Sequence, residues 1–301
     1  MSIYQLKHVR DACSPKLTRY VQNKTRGGTA GQKGIRYEDK FALLKIGEAA
    51  QSAFAKDGFF AEGRNVTFQG QAPCFVDDLV IFERRSKTAN HFQVKDVATL
   101  TWGQGAKSIA SDFRQQLKLG KNRKLNTNLF LVVSRKSLAS SLATKIPKGL
   151  GKKSSVVYFP AGSLAVLSKF PPMRKGLLAL LGPNPSEDHL VSVGRMLMGV
   201  WADAGKAVTL KKLFQQLHQS KAPLLRPLVP VTKLDPLLIS VFNRIRGFEF
   251  SVEKGFFVWK YGNADSGCFP EHCGSDRFCA FAQRMMTQKP RTFRKLEGEL
   301  G

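Results

Sequence analysis

The feature that most constrains this chain is the octet Phe75-Val76-Asp77-Asp78-Leu79-Val80-Ile81-Phe82, in which two adjacent carboxylates interrupt an otherwise apolar run. Short runs of β-branched and aromatic residues predict a buried strand. A carboxylate in that setting is costly to bury unless it is paired or ligates a metal ion. Side chains alternate across a strand, so Asp78 goes with Val76 and Val80, and Asp77 with Phe75 and Leu79. Alternation alone does not choose between them. Asp78 directly abuts Leu79–Phe82 and is preferred, with Asp77 in reserve. The plainer reading leaves one of the two at an exposed strand edge.

A polar turn from Arg84 to Asn90 leads to His91-Phe92-Gln93-Val94-Lys95, a second strand in which Gln93 and Lys95 share a face. His91 lies on the same face and is read as structural. If the two strands are neighbours, a carboxylate, an amide and an ammonium converge on one point. Such a set suits phosphodiester hydrolysis. A hard cation held by oxygen ligands neutralises the scissile phosphate and acidifies a water, while a lysine holds the water or offsets charge developing on the phosphorus oxygens.

Around these strands the pattern is α/β. Apolar residues recur at helical spacing from Ile35 to Phe54, with Gly58 as a stop. Strands are expected at Val66–Phe68, Asn128–Ser134 and Ser155–Phe159, and a helix at Ile109–Leu119. Residues 1–30 lack a sustained apolar period and read as a basic arm, with 31–170 as the α/β unit. Pro and Gly residues across 171–185 mark a linker. Beyond it, helices over Leu190–Ala202, Leu210–His218 and Leu237–Arg246 precede a hairpin of Phe248–Val252 and Phe256–Tyr261. Thr209 is placed to cap the second helix. Three helices and a hairpin predict a C-terminal winged-helix-like domain at 186–262, followed by a Cys/His-containing tail at 263–301.

The chain carries 48 Lys and Arg against 22 Asp and Glu, a formal charge of +26, which calls for a polyanionic partner, nucleic acid first. Lys7, Arg10, Asp11, Lys16 and Arg19 break up the N-terminus, so the uncharged core of a signal peptide is missing there. The longest apolar stretches fall well short of the roughly 20 residues a membrane helix needs. Five cysteines, an odd number, argue for reduced thiols rather than a secreted disulfide framework. A cytoplasmic protein with no membrane segment is expected.

Taken in order, Gly31-x-x-Gly34-x-x-Tyr37-Glu38 at a helix start, Val76-Asp77-Asp78-Leu79-Val80 and Phe92-Gln93-Val94-Lys95 resemble the PD-(D/E)XK nuclease superfamily. The resemblance covers roughly residues 28 to 160. Its glutamine variant is similar to Mrr-type restriction endonucleases and to the double-stranded DNA nuclease domain of bacterial antiphage effectors, including those of CBASS systems. The resemblance implies a restriction-endonuclease-like mixed sheet flanked by helices. It also implies an endonuclease dependent on Mg²⁺ or Mn²⁺, acting on double-stranded DNA in prokaryotic antiphage defence. By the same resemblance Glu38 and Asp78 are acidic metal ligands, and Gln93 replaces the usual second-strand acid. Lys95 is then the catalytic lysine, with the backbone carbonyl of Val94 as a further ligand.

Several weaker signals remain. The glycine-rich stretch 27–34 lacks the spacing of a nucleotide-binding loop and reads as a cationic segment for DNA phosphates, with Lys33 and Arg36 as contacts. Cys268, His272, Cys273 and Cys279 place four metal-capable side chains within a dozen residues, and a structural zinc competes there with ordinary partly buried thiols. Asn243, Arg244 and Arg246 on the third C-terminal helix are candidates for DNA contact, although such a unit serves equally well for protein docking or dimerisation. A regulatory protein or a homo-oligomeric assembly is the expected restraint on such an activity. Two other readings compete: an inactive nuclease-like DNA-binding regulator, favoured by the glutamine at position 93, and an RNA-directed protein.

Overall fold

In the computed structural model the described residues are 2–30, 37–54, 66–205, 207–220, 222–263 and 265–300. Helices α1 (Leu6–Ala12), α2 (Pro15–Ala30) and α3 (Tyr37–Ala53) precede an antiparallel meander of β1 (Val66–Gly70), β2 (Leu79–Glu83) and β3 (Thr88–Lys95). Helix α4 (Ile109–Asn122) crosses to β4 (Asn126–Val133), parallel to β3, and α5 (Lys136–Ala143) crosses to β5 (Ser154–Tyr158), parallel to β4. Next come α6 (Leu164–Leu167), α7 (Pro171–Ala179) and α8 (Glu187–Asp203). The short β6 (Ala207–Thr209) returns to pair with β1 and leads into α9 (Leu210–Gln219). The result is a mixed six-stranded sheet of order β5-β4-β3-β2-β1-β6, flanked by helices. The rest of the chain folds as α10 (Pro236–Phe242), an antiparallel sheet of β7 (Phe248–Glu253), β8 (Phe256–Tyr261) and β9 (Asp265–His272), then α11 (Asp276–Gln288) and α12 (Phe293–Glu297).

Both faces of the large sheet are covered, so its central strands are apolar on both sides. Phe68, Leu79, Phe92, Val94 and Val132 enter one core with Phe41 of α3, Leu177 of α7, Leu197 of α8 and Phe214 of α9. On the opposite face, Leu129, Leu131 and Val133 pack on Phe113 of α4, while Val80 meets Tyr4, Val9 and Val21 from the N-terminal segment.

Four expectations change. The first thirty residues are not an arm: they form two helices pinned to the sheet. Ile3 and Tyr4 donate their backbone N–H groups to Gln69 Oε1 at 2.8 and 3.0 Å, and Arg123 lies over the Tyr4 ring. The expected linker over 171–185 contains α7, whose Gly176 crosses Gly47 of α3 so closely that a Cβ on Gly176 would lie 2.8 Å from the Gly47 backbone. Proline is at home in the first turn of a helix, so Pro171 and Pro172 start α7 rather than break the fold.

The octet is a strand only from Leu79 onward. Phe75 and Val76 donate their backbone N–H groups to Gln116 Oε1 at 3.0 and 3.4 Å, and the segment before Leu79 bends.

Finally, the helices and hairpin expected to close as one winged-helix-like unit over 186–262 belong to two different cores. Helices α8 and α9, with Thr209 capping α9 as expected, pack on the large sheet. Helix α10 and the β7–β8 hairpin instead join the expected tail, whose β9, α11 and α12 complete a second core from Leu234 to Leu300. The first core reaches Leu225, so the change of core falls between these residues and not at 185.

Candidate active site

The β2–β3 register pairs Leu79 with Phe92, so one step further toward the start of β2 puts Asp78 beside Gln93. Asp78 Oδ2 receives the Gln93 Nε2 amide, the Val94 backbone N–H at 2.7 Å and the Lys95 ammonium at 3.5 Å. The face-sharing expected of Gln93 and Lys95 therefore holds, and of the two aspartates Asp78 is the one they meet. Lys95 keeps 36 % of its side chain exposed, whereas Asp78 is 8 % exposed. The ammonium thus bridges the buried carboxylate and solvent.

Glu38, in the first turn of α3, accepts a hydrogen bond from Gln71 Nε2 at 2.7 Å. The backbone N–H of that same Gln71 bonds the Asp78 carbonyl at 3.4 Å. Gln71 holds this position with φ of +45°, a left-handed conformation uncommon for a residue with a side chain. Glu38 and Asp78 line one cavity of about 570 Å³, which Gln69, Gln71, Asp39 and Trp201 also border. Trp201 closes its wall by donating Nε1–H to Asp39 Oδ1 at 3.1 Å.

Asp77 turns away from this cavity. Its Oδ1 pairs with Lys24 Nζ of α2 at 2.9 Å. The same ammonium reaches Asp112 Oδ2 of α4 at 3.2 Å, Gln93 Oε1 at 3.1 Å and the Phe75 carbonyl at 2.6 Å. Tyr20, one turn before Lys24, donates its hydroxyl to Asp112 Oδ2 at 3.1 Å. Burial pushes the Asp77 carboxyl up, to about 7, against the downward pull of Lys24. For Lys24 itself, burial alone would lower the pKa, and Asp77 and Asp112 reverse this and raise it, so the ammonium stays charged. Burial likewise raises Asp112, with Lys24 opposing.

Gln93 is therefore not arranged as the metal ligand expected of it: its carbonyl is engaged by Lys24 and its amide nitrogen by Asp78. Of the expected metal ligands, the carboxylates Glu38 and Asp78 line the cavity, beside the Trp201-bound Asp39, and among the described residues no group of three or more His, Cys, Asp or Glu side chains could hold a metal ion. A pair of carboxylates on one open cavity fits a hard cation that keeps its remaining positions for water and phosphate, as Mg²⁺ does.

His91 is structural, as expected. Its Nδ1 bonds the Val76 carbonyl at 3.0 Å and its Nε2 meets the Tyr4 hydroxyl at 3.2 Å; burial depresses its pKa to about 4. Lys33 and Arg36 lie outside the described residues. Asn243, Arg244 and Arg246 are exposed but sit just past the end of α10, not along it.

The C-terminal Cys and His residues expected as zinc ligands have other surroundings in this structure. Among the described residues Cys268, His272, Cys273 and Cys279 form no group of three or more side chains that could hold a metal ion. Cys273 is buried in the second core, and His272 Nδ1 accepts the Gly274 N–H at 3.1 Å. Burial pushes the Cys273 thiol up to about 12 and the Cys268 thiol to about 11.

Lys24, Asp112 and Gln71 are the site residues that motif reasoning missed. The spacing Leu17, Tyr20, Val21, Lys24 behind Ser14-Pro15 does describe one face of a capped helix, and that signal was available. Set against family models, curated proteins and solved structures, the chain matches none of them.

Proposed function

We propose that this protein is a metal-dependent endonuclease that hydrolyses DNA phosphodiester bonds, with a restriction-endonuclease-like sheet as its scaffold and prokaryotic antiphage defence as its setting. The observation that carries this reading is the meeting of Gln93, Val94 and Lys95 on Asp78, which itself lines a cavity with Glu38. Glu38 and Asp78 are the residues to hold Mg²⁺ or Mn²⁺, with the Val94 carbonyl as the further ligand that the resemblance implies. A cation there would supply Lewis acidity toward the scissile phosphate and a more acidic water.

The chain's own groups have separate tasks. Lys95, partly in solvent and tied to Asp78, orients the attacking water and offsets charge developing on the phosphorus oxygens. Gln93 fixes the Asp78 carboxylate without adding a negative charge. The surplus of 26 positive charges draws the polyanion in, and exposed Arg244 and Arg246 offer phosphate contacts outside the cavity. The test is incubation of purified protein with plasmid DNA in Mg²⁺ or EDTA. Cleavage that stops with EDTA is expected, and a matched RNA substrate should survive.

A second reading, a DNA-binding regulator with an inactive nuclease-like site, is favoured by one observation: a resident ammonium, Lys24, already occupies the oxygens of Asp77, Gln93 and Asp112. Tight, salt-sensitive binding with no cleavage under any divalent ion would select it.

A further inference from the structure

Lys24 comes from a helix that no part of the nuclease motif includes, yet its Nζ sits among four oxygens. They are Asp77 Oδ1 at 2.9 Å, Asp112 Oδ2 at 3.2 Å, Gln93 Oε1 at 3.1 Å and the Phe75 carbonyl at 2.6 Å. An ammonium is a donor only, whereas a glutamine amide has one accepting and one donating end. The contact with Lys24 therefore dictates which way the Gln93 amide lies. With Oε1 on the ammonium, Nε2 faces Asp78 Oδ2, and both ends of the amide make charge-assisted hydrogen bonds. Turned over, the amide would set its N–H₂ against an ammonium and its carbonyl against a carboxylate, two repulsions in place of two attractions.

The consequence reaches Asp78. Its Oδ2 is held by Gln93, Val94 and Lys95 together, while among the described residues no donor engages Oδ1. One oxygen is locked, on a residue that lines the cavity with Glu38.

We propose that Lys24 is a positioning residue of the active site, acting through Gln93 to fix the Asp78 carboxylate. This inference rests on the nuclease reading for its kinetic consequence, though not for its structural one. In this role the lysine replaces the charge pairing that an acid at position 93 would otherwise have with a cation. It also makes the N-terminal helix pair a part of the catalytic unit, since α2 delivers the ammonium. Tyr20 supports the arrangement from the same helix face by holding Asp112.

The experiment compares wild type with Lys24→Met and Lys24→Arg by two independent readouts. The first is the pair of Gln93 side-chain Nε2–H resonances in protein labelled with ¹⁵N-glutamine, assigned by their loss in Gln93→Leu. Lys24→Met should shift or broaden them, and Lys24→Arg should leave them near their original positions. The second is steady-state cleavage of a short fluorescent duplex in Mg²⁺. Loss of a positioning group should lower kcat roughly 10- to 100-fold with KM little changed, and Lys24→Arg should recover most of the loss.

Unchanged Gln93 resonances in folded Lys24→Met would overturn the proposal. So would an elevated KM at unchanged kcat, the mark of a phosphate-binding lysine. Should Lys24→Met not fold, Lys24→Gln, which keeps polar contact with Asp77 and Asp112, takes its place under the same criteria. A wild-type protein that cuts no DNA would end the nuclease reading, while the amide resonances would still decide whether Lys24 orients Gln93.

Discussion

At the scale of single residues, two neighbouring carboxylates are put to different uses by the cations they meet. Asp77 is almost fully buried and balanced by Lys24; Asp78 is tied to Gln93, Val94 and Lys95 beside an open cavity. Removing the Lys24 charge leaves Asp77 and Asp112 in the interior without a counterion, and breaking a buried pair from one side costs about 3–5 kcal/mol. Lys24→Met should therefore melt below Lys24→Arg in a thermal scan, and equal midpoints would contradict the pairing. His91 gives a pH prediction of definite sign. Burial lowers its pKa from 6.5 to about 4 in the folded chain, so the unfolded chain takes up the proton first as pH falls. Stability from this residue is present above 6.5 and drains away toward 4. The urea midpoint should drop across that window, and His91→Gln should flatten the drop. An identical profile in the variant would remove His91 from the account.

At the scale of elements, the strands were legible because their chemistry is local. Alternation around Gln93 and Lys95 is visible in the chain, and β3, β4 and β5 appear within a few residues of where their apolar runs put them. What was not legible depended on distant partners. Nothing local states that the N–H groups of Phe75 and Val76 go to Gln116, forty residues on, so the strand was read too long. Nothing local states that Gly176 faces Gly47, so the Pro and Gly residues of α7 read as a linker. Lys24 carries no local sign of its role because its partners Asp77, Gln93 and Asp112 lie on three other segments. The glycine crossing is testable. A Cβ at Gly176 meets backbone on α3, which has no side chain to swing aside, so Gly176→Ala should cost about 1–3 kcal/mol and lower the melting temperature by several degrees. Retention of the wild-type midpoint would mean that the helices are not pressed together there.

At the scale of the whole molecule, a sheet carrying the acidic centre and a separate C-terminal core share a large positive charge. Among the described residues no helix is long and apolar enough to cross a membrane. A polyanion that neutralises several of those charges releases counterions, so DNA affinity should fall steeply with salt, by roughly 10³-fold or more between 50 and 200 mM if about six phosphates are contacted. Arg244→Glu with Arg246→Glu should weaken binding and shrink that slope while leaving kcat at saturating DNA unchanged. A salt-independent affinity would point away from phosphate recognition.

The central claim is that Asp78, on the cavity it shares with Glu38, and Lys95, paired with Asp78, make one hydrolytic centre. Its most direct measurement is the rate of duplex DNA cleavage in Mg²⁺ by the wild-type protein, Asp78→Ala and Lys95→Ala, all three confirmed as folded by circular dichroism. Clear cutting by the wild type, with each substitution reducing the rate by about 10²-fold or more, is the expected result. Three equal rates, including three rates of zero, would contradict it.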